Sequence, residues 1–126
     1  MEKEKYSVIF YKDKRGREPI VEYIRELDNT KGKDVRIKLR KIRNCIKLLK
    51  EYGTTVGEPY MKHLVGEIWE LRSLKDRILF ATYDKDSFIL LHHFRKETQK
   101  TPIGEILQAK RNYLDYKRRN QNEEKQ

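Results

Sequence analysis

The chain has 126 residues, 40% of them charged and 37% hydrophobic, with a formal charge of +10. That allows one economical core but not two, and it favours an acidic partner: nucleic acid, an anionic membrane surface or an acidic protein. The single cysteine excludes an internal disulfide and a cysteine-cluster zinc site.

In chain order, "MEKEKYSVIFYKDKRG" holds no apolar run long enough for a secretory signal, and no later segment spans a bilayer. The cytoplasm is the expected location, without a membrane partner. "KYSVIFY" (Lys5 to Tyr11) is β-branched and aromatic and ends in a turn-forming stretch, which predicts a first strand. "EPIVEYIRELD" predicts a helix, with Pro19 in its first turn and Ile20, Ile24 and Leu27 on one face. A second helix is predicted from Asp34 to Tyr52, stopped by Gly53. Val35, Leu39, Ile42, Ile46 and Leu49 form its apolar stripe, and Cys45 falls among them as a buried, inert thiol. Short strands follow from Tyr60 to Leu64, Glu67 to Ser73, Arg77 to Tyr83 and Phe88 to Arg95. A last helix starting at Pro102 is expected to bury Ile103, Ile106, Leu107, Tyr113 and Leu114.

The order β-α-α-β-β-β-β-α defines an α+β domain over residues 1–119, with helices packed on a mainly antiparallel sheet. Residues 120–126 read as a polar, flexible tail. The basicity is regional: nine Lys/Arg against one acid between Lys31 and Lys50, and eight against three between His92 and Arg119. For the second helix, a solvated surface and a polyanion contact both fit that charge.

Strand parity sorts the side chains into faces. "RSLKDR" predicts a hairpin that sets Arg72 opposite Arg77, and residues two apart share a face. Glu70, Arg72, Arg77 and Leu79 then line one side, with Trp69, Leu71, Ile78 and Phe80 as core on the other. "YDKDSF" is expected to pair Tyr83 with Phe88. Ile89 and Leu91 then join the core face, and Leu90, His92, Phe94 and Lys96 join the arginine face. A bulge inverts this assignment, so His93 and Arg95 stay open as alternatives. Like charges directly opposite repel. The pair is tolerable with Glu70 between its members, as a structural network, and useful with a phosphate there, which arginine binds bidentately.

His63, His92 and His93 have no helical i, i+4 spacing and no supporting ligand set, so metal binding is weakly supported. A strand histidine commonly packs, but beside cations it tends to stay neutral and able to accept a proton. The six glycines are scattered and form no phosphate loop. Nothing in the order of residues assembles a Ser-His-Asp triad.

Together, "PYMKHLVGEIWELR", "DRILFATY", "LLHHFRKETQKTP" and "EILQAKRNYLDY" resemble the HigB-like branch of the RelE/ParE toxin superfamily, over about Lys5 to Arg119. The resemblance implies a RelE-like fold and a toxin of a type II toxin–antitoxin module. It implies ribosome-dependent cleavage of mRNA without metal or cofactor, by attack of a 2′-OH on the adjacent phosphate. Arg72 and Arg77 match the family's arginines at the end of one strand and the start of the next, and Lys96 falls where an arginine often ends the last strand. RelE's strand lysines align with Ile68 and Glu70, so their role in proton transfer does not carry over. Glu70, His92, His63 and Glu58 remain alternatives for the base; Glu58 lies in a segment that looks like the YoeB-like glutamate segment. Lys38, Lys41, Lys62, His63, Arg95 and Lys100 are expected RNA or ribosome contacts.

Further implied partners are a HigA-like helix-turn-helix antitoxin and, through it, promoter DNA. A ParE-like toxin that poisons gyrase without catalysis is the alternative, and a basic binding module a third.

Overall fold

The lysine-rich second helix lays its apolar stripe on the sheet, as its spacing requires. In the computed structural model, which describes residues 4–124, helix α2 (Lys33–Tyr52) buries Leu39, Ile42, Cys45, Ile46 and Leu49. Cys45 donates its thiol to the carbonyl of Arg72 at 3.2 Å, and burial pushes its pKa up. Gly53 ends the helix at φ 65, a left-handed conformation that glycine adopts without a Cβ clash. Helix α1 (Pro19–Asp28) opens on its proline and packs Ile20 and Leu27 against the same layer.

The strands are β1 (Ser7–Phe10), β2 (Met61–Val65), β3 (Ile68–Ser73), β4 (Asp76–Asp84) and β5 (Ser87–Arg95). They form one sheet in the order β1-β5-β4-β3-β2. The β1–β5 pair is parallel and the other three are antiparallel, so the sheet is mixed. Helix α3 (Ile103–Glu124) covers the opposite face from α1 and α2, and it continues through the first part of the stretch expected as a tail. Positions 125–126 lie outside the described residues.

Both faces of the sheet are therefore packed. Leu71, Ile78, Phe80, Phe88 and Leu90 meet α1 and α2. Ile68, Leu79, Ala81, Ile89, Leu91 and Phe94 meet Ala109 and Tyr113 of α3.

Two expectations are corrected. On α3, Ile103, Leu107 and Leu114 are exposed; the helix turns Ile106, Ala109, Tyr113 and Tyr116 to the sheet instead. In the β4–β5 pair, Phe88 lies opposite Thr82 rather than Tyr83, and the register shifts twice. The extra residue is Tyr83 on β4 at the first shift and Leu91 on β5 at the second. Each bulge adds one residue to one strand. The first moves Ile89 and Leu91 to the α3 side and Leu90 to the α1–α2 side, against the expected parity. The second cancels it, so His92 again faces Leu79 and Phe94 faces Arg77.

Candidate functional site

The β3–β4 hairpin turns at Leu74 and Lys75, and Arg72 lies directly across from Arg77 as expected. Between them sits Glu70, a carboxylate only 1% exposed. Arg72 Nε donates to its Oε1 at 2.9 Å, and Arg77 Nε lies 3.8 Å from the same oxygen. Thr101, in the loop before α3, donates its hydroxyl to the other carboxylate oxygen. Both oxygens of Glu70 accept hydrogen bonds, so the carboxylate ties Arg72 and the loop before α3 together.

The two arginines differ. Arg77 is buried and donates from Nη1 to the carbonyls of Leu74, at 2.6 Å, and Asp76, at 3.0 Å. Burial lowers its pKa, with Glu70 opposing and Arg72 adding to that shift. Arg72 is half-buried, and its Nη1 reaches toward solvent, 3.8 Å from the exposed Glu58. One carboxylate against two guanidiniums leaves positive charge at the surface, and a solvent-exposed glutamate screens it weakly.

Lys62 pairs with Glu70 across β2–β3, which places it on this face; it is exposed. His92 lies opposite Leu79 on the same face, one diagonal step from Arg77, roughly 7–8 Å between Cα atoms. Its Nε2 donates to Glu105 Oε1 of α3 at 2.9 Å, and its ring stacks on Phe94 at 6.2 Å between centroids. A histidine fixed through one nitrogen by a carboxylate has its other nitrogen oriented for proton transfer.

Lys96 continues the ladder through its backbone to Lys75, without a side-chain bond to the arginines among the described residues. His63 pairs with Trp69, so it belongs to the opposite face, where its Nε2 donates to Gly66. Lys41 and Lys100 are exposed, and Lys100 immediately precedes Thr101, the partner of Glu70. Arg95 lies opposite Asp76, away from the arginine face. Lys38 points inward: its Nζ is 3.8 Å from Asp76 Oδ2 and 5.4 Å from the Tyr23 ring centroid.

That last contact belongs to a cluster that strand parity did not reveal. Asp76 Oδ1 accepts from Tyr23 Oη at 2.7 Å and from His93 Nε2 at 2.9 Å. The Tyr23 and His93 rings stack 3.8 Å apart. Burial pushes the Asp76 carboxyl up, but the bonds from His93 and Tyr23 and the Lys38 charge outweigh it and hold its pKa below the usual value. The network fastens α1 and α2 to the hairpin that carries the arginines. The only sequence signal was an aspartate in "SLKDR", where turn chemistry explains it equally well.

The chain belongs to the phage-derived Gp49-like family: the profile described as "Phage derived protein Gp49-like (DUF891)" matches residues 22–114. This family belongs among the RelE/ParE-like toxins and is associated with toxin–antitoxin systems, which implies an antitoxin partner. Gp49-like toxins of the RelE-like superfamily are typically RNases. No curated protein matches the chain. Among the described residues, no helix is long and apolar enough to cross a membrane.

Proposed function

We propose that the protein is a HigB-like toxin with a RelE-like fold that cleaves mRNA on the ribosome. The observation that carries this reading is the arginine pair held across a hairpin on one buried carboxylate, with Lys62 and the Glu105-oriented His92 on the same face. Arg72, the more accessible of the pair, contacts the scissile phosphate, while Arg77 adds charge from beneath. His92 takes the proton of the 2′-OH. The 2′-oxygen bonds to phosphorus, the bond to the 5′-oxygen breaks, and the leaving oxygen takes a proton from the ammonium of Lys62. The products are a 2′,3′-cyclic phosphate and a 5′-hydroxyl, with no net loss of water or electrons. Preorganised cations at a developing phosphorane act in this way because they need not reorient as charge builds.

Glu58, exposed beside Arg72, is the alternative base. Lys96 and Lys100 follow β5 near the hairpin and supply further phosphate contacts. The partners proposed are the ribosome, mRNA and a HigA-like antitoxin, with promoter DNA bound through that antitoxin.

One observation favours the second reading, a ParE-like toxin that acts by binding gyrase. Arg77 is buried on Glu70, as a purely structural ion pair would be.

The test is brief expression in bacteria followed by primer-extension mapping of new mRNA 5′ ends, beside the Arg72→Ala and His92→Gln variants. Cuts inside translated frames are expected, falling about 10²–10³-fold in Arg72→Ala. Growth arrest with intact mRNA overturns the nuclease and favours gyrase.

A further inference from the structure

A second basic site lies at the other end of α3. A cavity of about 680 Å³ opens between the β1–α1 loop and the second half of that helix. Lys14, Arg15, Arg17, Arg111, Arg118 and Arg119 line it, against Asp13 and Asp115. The acids are committed inward. Asp13 Oδ1 accepts the backbone N–H groups of Arg15 and Arg17, each at 2.9 Å, which tightens the loop that presents them. Asp115 Oδ2 accepts from Tyr11 at 2.6 Å and from Arg119 Nη2 at 2.9 Å. Arg119 also donates to the carbonyl of Lys12, so α3 is stapled to the end of β1. Arg17 is held by Glu22. Lys14, Arg15, Arg111 and Arg118 are exposed and form no salt bridge among the described residues.

We infer that this groove is a second phosphodiester-backbone site, and that it takes structured RNA. Two walls fixed by the Tyr11–Asp115–Arg119 network hold four exposed cations, without a close salt bridge among the described residues, around a cavity, an arrangement that fits a polyanion. The Tyr11 ring is buried and its hydroxyl is tied to Asp115, so it offers no stacking platform for an unpaired base. Recognition therefore runs through phosphates and is independent of sequence. The choice of RNA over DNA rests on the proposed nuclease reading. The same helix borders both sites: Glu105 holds His92 at one end and Arg119 lines the groove at the other. Those positions are about 21 Å apart along the helix at 1.5 Å per residue, so a folded RNA contacted at both is held against rotation. Lys14, Arg15, Arg17, Arg118 and Arg119 lie outside residues 22–114, the stretch the family profile matches.

The experiment titrates fluorescently labelled RNA duplex, and DNA duplex of the same sequence, over a range of KCl with the full chain. Wild type is compared with Arg15→Glu/Arg118→Glu and with Lys14→Gln/Arg111→Gln, whose exposed side chains leave the staple intact. RNA affinity is expected to fall about tenfold or more, and the slope of log affinity against log salt by about two, in the doubly reversed variant. Arg72→Ala is expected to retain the groove's share of that slope. Unchanged affinity and slope in both groove variants overturns the site, even if wild type cuts mRNA. Lost RNA binding in those variants supports the site, even if wild type leaves mRNA intact. DNA bound as tightly as RNA, with the same loss, overturns the assignment to RNA.

Discussion

Asp76 and Glu70 show how much a buried carboxylate can organise from one hairpin. They are close in sequence but face opposite sides of the sheet. Glu70 gathers two arginines and Thr101; Asp76 gathers Tyr23, His93 and Lys38. The titration of Asp76 has a definite sign. A carboxyl whose folded pKa lies below its unfolded value stabilises the fold above the unfolded pKa, and that contribution is lost as pH falls through the folded one. Asp76→Asn is therefore expected to cost about 1–3 kcal/mol at neutral pH. The difference should shrink as pH drops through and below the ordinary value of 3.8. Urea denaturation of both proteins at neutral and acid pH checks this; a gap that is constant with pH removes the charged network as its cause. The arginine pair was legible in the sequence because a short hairpin fixes who faces whom. The second cluster was not, because Tyr23 and His93 meet only when α1 docks, a long-range event that leaves no local pattern.

At the scale of elements, the strands and the first two helices were legible for a physical reason. Period-two and helical apolar spacing each report a buried face. The β4–β5 register was not, since a bulge carries no apolar signature; Tyr83 and Leu91 read as ordinary strand residues. His92 still reached the expected face because two shifts cancelled. On α3 the apolar residues outnumber the positions that meet the sheet, so the buried set was misjudged. The structure separates them by experiment. Ala109, fully buried, leaves no room for a larger side chain. Ala109→Leu is expected to destabilise by about 1–3 kcal/mol. Leu107→Ser, at a position 45% exposed, should stay within about 0.5 kcal/mol of wild type. Thermal or chemical denaturation of the two variants gives the comparison, and equal losses would contradict the orientation of the helix.

For the whole molecule, the formal charge of +10 is a load on the folded state. Its cations are gathered on α2, at the arginine pair and in the groove, so they repel one another in the free protein. Raising ionic strength from about 0.01 M to about 0.15 M shortens the screening length from about 30 Å to about 8 Å. The melting temperature of the free toxin is expected to rise over that range; a fall would mean that its surface ion pairs outweigh the repulsion.

Helix α3 also acts as a gauge block. Its two ends are set against different parts of the molecule, through Glu105 and through Arg119, and Asn112 Nδ2 is bonded to the carbonyl of Leu91 between them. One residue added to a helix advances everything beyond it by about 1.5 Å and turns it by about 100°. An insertion between Asn112 and Asp115 would thus leave the His92 end in phase while swinging the Tyr11 staple out of reach. Length in this segment is consequently held by two fittings at once.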